Sequence, residues 1–100
     1  MIDVFPADYS NAEHGAALLA LLDAYALDPM GGGQPLSAYT REHLVRSLAE
    51  RDDAITLFAR DGEQYAGLVN CFEGFSTFAC KPLLNIHDVV VLAPFRGRGV

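Results

Sequence analysis

Val89-Val90-Val91-Leu92-Ala93-Pro94-Phe95-Arg96-Gly97-Arg98-Gly99-Val100 is the stretch whose reading decides the fold. Its first four residues are β-branched or apolar and suit a buried strand. Pro94 cannot donate to a ladder and marks the strand's exit. Gly97 and Gly99 then alternate with Arg96 and Arg98. Without a Cβ, each glycine lets a ligand approach the backbone closely and permits positive φ. Successive amides in such a turn form an anion nest, and the two arginines add positive charge in an acidic chain. The ligand implied is a pyrophosphate or another phosphorylated group. An exposed basic turn is the alternative that these residues alone leave open.

Working outward, Leu84 to Leu92 reads as a core strand (β4) and Phe75 to Leu83, with Pro82, as a loop before it. Ala54–Arg60 (β2) and Tyr65–Gly74 (β3) are β-rich segments joined at Asp61-Gly62, a turn dipeptide, so they predict a hairpin. Further back the period becomes helical. Ser37 caps a helix (α2) with Leu44, Val45, Leu48 and Ala49 on one face, ending before Arg51-Asp52-Asp53. Asp28 to Gln34, with Pro29 and Gly31 to Gly33, is a loop within one domain. Ser10 and Glu13 have the spacing of a capping box, which predicts a helix (α1) over about Asn11–Leu27, with Leu18, Leu19, Leu21 and Leu22 in its apolar stripe. Ile2–Phe5, stopped by Pro6, is a first strand (β1).

Composition bounds the partners. The chain has 100 residues, 51% hydrophobic, which fits one globular domain. A formal net charge of −6 argues against nucleic acid and anionic membrane surfaces, and suits a cationic partner such as an amine. Cys71 and Cys80 match no zinc spacing and read as free thiols in a reducing compartment. The histidines and carboxylates show no ligand spacing either, so no metal is expected. No secretory signal opens the chain, and Ala16 to Leu22, the longest apolar run, is too short to cross a bilayer. A cytoplasmic location is the expectation.

The order of strand, two helices, hairpin, strand and Arg-Gly-Arg-Gly-Val resembles the GNAT superfamily of N-acetyltransferases over nearly the whole chain. That family's loop reads Gln/Arg-x-x-Gly-x-Gly/Ala; Arg96 and Gly99 match, and Val100 holds the variable fifth place. The resemblance implies an α+β fold with a GNAT-type mixed sheet in the order β1-α1-α2-β2-β3-β4, a β2-β3-β4 antiparallel meander, and both helices packed on it. It implies acetyl-CoA as co-substrate, its pantetheine arm pairing with Val89, Val90 and Val91. An amide near Val91 would polarise the thioester, and the amides of Arg96, Gly97, Arg98, Gly99 and Val100 would hold the pyrophosphate. It implies direct attack of a primary amine, on a small molecule or a peptide, at the thioester. Because the loop's sixth position is absent, residues 1–100 are expected to be the N-terminal portion of such a domain, poorly active alone.

An ammonium cannot attack, so a base is needed. His87, Asp88 and Glu73 are the titratable candidates. His87 has the ordinary pKa nearest neutrality, and it shares the strand face of Val91 if no bulge intervenes. The general acid, usually a tyrosine further along, is not assigned; Tyr9, Tyr25, Tyr39 and Tyr65 read as packing or surface residues, and His14 and His43 as helix-surface residues. Asp28 to Leu36 and Phe75 to Phe78 are the candidate acceptor walls, with Asp28 a turn former. A homodimer, a non-catalytic acyl-CoA-binding module and a degenerate structural domain remain open as alternatives.

Overall fold

The computed structural model describes residues 2–28, 32–92 and 94. Six elements follow in order: β1 Ile2–Pro6, α1 Ala12–Leu27, α2 Ala38–Ala49, β2 Ala54–Asp61, β3 Gln64–Ser76 and β4 Lys81–Val91. The strands form one sheet in the order β1-β2-β3-β4, and every pairing is antiparallel. The two helices therefore form the connection between neighbouring strands β1 and β2, and both contribute to the core on one face of the sheet.

The core sits where α1 covers the sheet. Leu18, Leu21 and Leu22 present one side of α1, and Leu48 comes from α2. They meet Phe58, Leu68 and Val90, one residue from each of β2, β3 and β4. These three strand residues face each other in register, Phe58 against Leu68 and Leu68 against Val90. Each such fully buried side chain contributes about 1.5–3 kcal/mol of transfer free energy. Phe5, Tyr65 and Leu44 close the periphery.

Local chemistry fixes the ends. Ser37 caps α2 as expected, its hydroxyl accepting from the Thr40 amide at 3.1 Å. At α1 the cap is Asn11 rather than Ser10: Asn11 Oδ1 accepts from the His14 amide at 3.1 Å. Ser10 is engaged elsewhere, because its amide and hydroxyl both donate to Asp8 Oδ1, at 2.9 and 2.6 Å. The reciprocal capping box therefore does not form. The β2–β3 turn uses Gly62 at φ 63°, the left-handed conformation that glycine adopts without steric cost.

The segment from Phe75 to Leu83 departs most from its sequence reading. It is not a loop. β3 runs on to Ser76 and β4 starts at Lys81, so only Thr77 to Cys80 turn between them. Pro82, the residue that suggested a loop, stands opposite Phe75 in the outer strand of the described sheet, where a missing N–H is tolerated. His14 is half-buried rather than free on the helix surface. Its Nδ1 accepts from the Asp8 amide at 2.8 Å, and its ring lies 5.6 Å from Phe5 and 5.5 Å from Phe58. His43 is partly exposed, its ring tilted against that of Tyr39 with centroids 4.3 Å apart.

Candidate active site

The site is built on β4, the outer described strand. Its pairing with β3 is regular from Val91 back to Asp88, with Val91 opposite Gly67, Val90 opposite Leu68, Val89 opposite Val69 and Asp88 opposite Asn70. The next pair is Cys71 with Ile86. One residue of β4, His87, is thus extra: a β-bulge. A bulge inserts an unpaired residue, bends its strand and re-aims a side chain.

The bulge reverses one expectation. With unbroken alternation His87 shares the face of Val91. Here the His87 ring lies edge-on to Phe72, with centroids 5.6 Å apart. Phe72 alternates with Asn70 and Leu68, so it belongs to the helix-covered face. His87 and Asp88 therefore occupy the same side, and Val89 and Val91 the other. Glu73 alternates with Phe72 onto the opposite face, so β3 does not bring it to the other two candidates.

The valines divide in the same way. Val90 is buried in the core. Val89 is 58% exposed and, with Val91, lines a shallow apolar trough on the far face with Val4, Leu57, Ala59 and Val69. The Leu92 amide donates to the Ala66 carbonyl at 2.9 Å, so alternation sends the main-chain groups of Val89 to the outer edge of β4. The β3–β4 approach is tight here. A Cβ built on Gly67 would collide with the Val90 carbonyl oxygen. Arg96, Gly97, Arg98, Gly99 and Val100 lie outside the described residues, as do Pro29 and Gly31 of the helix connection.

Sequence reasoning missed a buried polar row that ends at Asp88. Thr56 on β2 and Asn70 on β3 are 2% and 5% exposed. The Thr56 hydroxyl donates to Asn70 Oδ1 at 2.7 Å, and Asn70 Nδ2 donates to Asp88 Oδ2 at 3.2 Å. Since the Thr56 proton is committed to Asn70, the Tyr9 hydroxyl, 2.8 Å away, donates to Thr56 Oγ1. Tyr9, read from sequence as a packing or surface residue, is held in place because the Ala7 amide donates to the Thr56 carbonyl at 2.7 Å. No spacing rule connects residues 9, 56, 70 and 88; only strand register does. The available clue was Asn70, an amide inside the apolar run from Ala66 to Phe72.

The connection from α1 to α2, one of the two candidate acceptor walls, is anchored at its far end. Asp23 Oδ1 accepts from the Leu36 amide at 2.9 Å while Oδ2 pairs with Arg41 at 2.7 Å. The Asp28 carbonyl accepts from the Gly33 amide at 3.1 Å. At the other end of α1, the Tyr65 hydroxyl donates to Glu13 at 2.7 Å; burial first, then that bond, pushes the phenol above its ordinary pKa.

Solved structures match this architecture along essentially the whole chain. A ribosomal-protein-alanine N-acetyltransferase from Brucella melitensis biovar Abortus superposes with TM-score 0.74 at 17% identity, covering 100% of this chain and 63% of that one. A GNAT family acetyltransferase from Staphylococcus aureus gives 0.75 at 18% identity, covering 98% and 67%. The chain has the GNAT fold. AAC(6')-Iy, solved with a bisubstrate analogue that joins CoA to acetylneamine, shares the GNAT fold at TM-score 0.75 and 15% identity, covering 100% and 63%. The sequence itself matches no family profile and no curated protein. The chain thus spans a little under two thirds of the first of these structures. Within the GNAT fold, the bulged β4 and its His87-Asp88 pair stand beside an outer edge of valines.

Proposed function

We propose that this chain belongs to an acetyl-CoA-dependent N-acetyltransferase that passes the acetyl group directly to a primary amine. The observation that carries the reading is the bulge in β4 of a GNAT fold, which sets a histidine and a carboxylate beside a strand edge. His87 is the base. Its neutral imidazole takes a proton from the substrate ammonium; the freed amine attacks the thioester carbonyl carbon. As the C–N bond forms, an amide near Val91 stabilises the developing oxyanion. The C–S bond then breaks, CoA leaves as the thiolate, and the second proton shed by the attacking nitrogen passes to that thiolate.

Acetyl-CoA aligns its pantetheine arm along Val89 to Val91, and Arg96 to Val100 hold its pyrophosphate. The segments from Asp28 to Leu36 and from Phe75 to Phe78 shape the acceptor pocket. The acceptor is a small-molecule or peptide amine. The aminoglycoside and ribosomal-protein enzymes among the structural neighbours support both classes, and the net charge of −6 favours a cation. The reading includes a cytoplasmic protein that does not engage nucleic acid or membrane, with a homodimer as its assembly. It also includes weak activity for the 100-residue chain alone, supported by β4 being the outer strand among the described residues.

Acetyl-CoA titrated against thermal unfolding tests the reading. A binder held at a hundred times its Kd gains about 2.7 kcal/mol. No gain at millimolar acetyl-CoA would overturn the proposal. Stabilisation without release of free CoA, across polyamines, aminoglycosides and peptides with free N-termini, would instead select a non-catalytic acyl-CoA-binding module. Where CoA is released, His87→Ala is expected to lower kcat sharply and spare acetyl-CoA binding.

A further inference from the structure

The buried polar row has no evident purpose in stabilising the fold. Asparagine is a poor strand former, and an apolar residue at position 70 would extend the core formed by Phe58, Leu68 and Val90. Burying Thr56 and Asn70 costs free energy that their mutual hydrogen bond only offsets. Departures of this kind from local consistency concentrate where a structure serves a site.

The place where the row ends is specific. Asn70 and Asp88 are the last regular pair before the bulge; Cys71 and Ile86 are the first pair beyond it. A bulged strand has neighbouring registers available to it. Shifting the extra residue from His87 to a neighbour changes which side chains face the helices. A side-chain bond across Asn70 and Asp88 penalises that shift, because a displaced Asp88 leaves the Asn70 amide buried and unpaired. The amide is itself oriented. Thr56 donates to its oxygen, so its nitrogen must face β4. Tyr9 in turn fixes the Thr56 hydroxyl.

We infer that the row Tyr9–Thr56–Asn70–Asp88 is a register clamp that locks the β4 bulge at His87. Asn70 and Asp88 are positioning residues that act through His87. The inference rests on the acetyl-transfer reading only for what His87 does; the clamp is a statement about the strand pairing.

The test is NMR on the full 100-residue chain, reading the cross-strand contacts Asn70–Asp88 and Cys71–Ile86 and the His87–Phe72 ring contact. Methyl signals of Leu68 and Val90 report that the core is intact. Asn70→Leu and Asp88→Ala are expected to lose the His87–Phe72 contact, or to split the β4 signals into two registers, with the core signals retained. Asp88→Asn keeps an oxygen that accepts from Asn70, so it is expected to keep the native register. Should Asn70→Leu fail to fold, Thr56→Val carries the same test, since it releases the amide's orientation; Thr56→Ser restores the hydroxyl and is expected to restore the contact.

An unchanged His87–Phe72 contact in folded Asn70→Leu, Asp88→Ala or Thr56→Val would overturn the clamp, and so would a lost register in Asp88→Asn. None of these readouts needs turnover, so they stand or fall separately from the response to acetyl-CoA.

Discussion

Two neighbouring rows cross the same three strands and do different work. Phe58, Leu68 and Val90 form one, with the leucines of α1 against it. Thr56, Asn70 and Asp88 form the next, two residues along each strand. The first row is non-directional: any well-packed apolar set of that volume would hold the helices to the sheet. The second is directional, since each bond requires a donor to face an acceptor. The contrast teaches that burial keeps the sheet together while hydrogen bonding sets where β4 sits in it. Five substitutions, two of them combined, can break or sharpen the distinction.

Phe58→Ala is expected to have the largest effect. It empties a fully buried site at the β2 end of the apolar row and should cost about 3–5 kcal/mol in urea unfolding. A loss under about 1 kcal/mol would show that this row is not the core. Gly67→Ala comes next, at about 1–3 kcal/mol. The new methyl has to displace the Val90 carbonyl, so it should loosen β3 from β4 and raise hydrogen exchange at Leu92, whose amide bonds Ala66 beside that site.

Thr56→Val should cost about 1–2 kcal/mol, because it leaves the Asn70 oxygen buried without a donor. The double substitution Thr56→Val with Asn70→Leu removes both partners and should recover most of that loss while leaving His87 misplaced. A double variant less stable than either single one would mean that the polar row supports the fold after all.

The smallest effect is one of pH. The Ser10 hydroxyl and amide hold the exposed Asp8 carboxyl below its ordinary range. A depressed carboxyl stabilises the fold above its unfolded-state pKa, and that contribution is lost as pH falls through the folded value. Asp8→Asn should therefore lower Tm slightly near neutrality, and the difference from the native chain should vanish as pH falls below about 4. An identical acid limb in both proteins would remove Asp8 from the account.

The fold was largely legible because its signals are local. Ser37 before an amphipathic run, Asp61-Gly62 between two β-rich segments, and the leucines of α1 each act over a few residues. Where local rules competed, the outcome was hidden. Ser10 and Asn11 both had the chemistry to cap α1, and Asp8 decided between them by engaging Ser10. Pro82 read as a strand breaker because its position in the outer strand is a tertiary fact. His87 and Asp88 were singled out as candidates by residue type, but their facing was hidden, since a bulge is invisible to an alternation rule. Tyr9, Thr56 and Asn70 were missed because three polar side chains scattered through the first 70 residues meet only through register.

Asp23 has a consequence of another kind. One carboxylate holds both the backbone at Leu36 and the guanidinium of Arg41, so the start of α2 is moored to α1 directly. Chain between Asp28 and Leu36 is thereby relieved of any duty to orient the second helix. Insertions or exchanges there can vary what this end of the molecule presents while the scaffold stays put, a replaceable rim on a fixed frame.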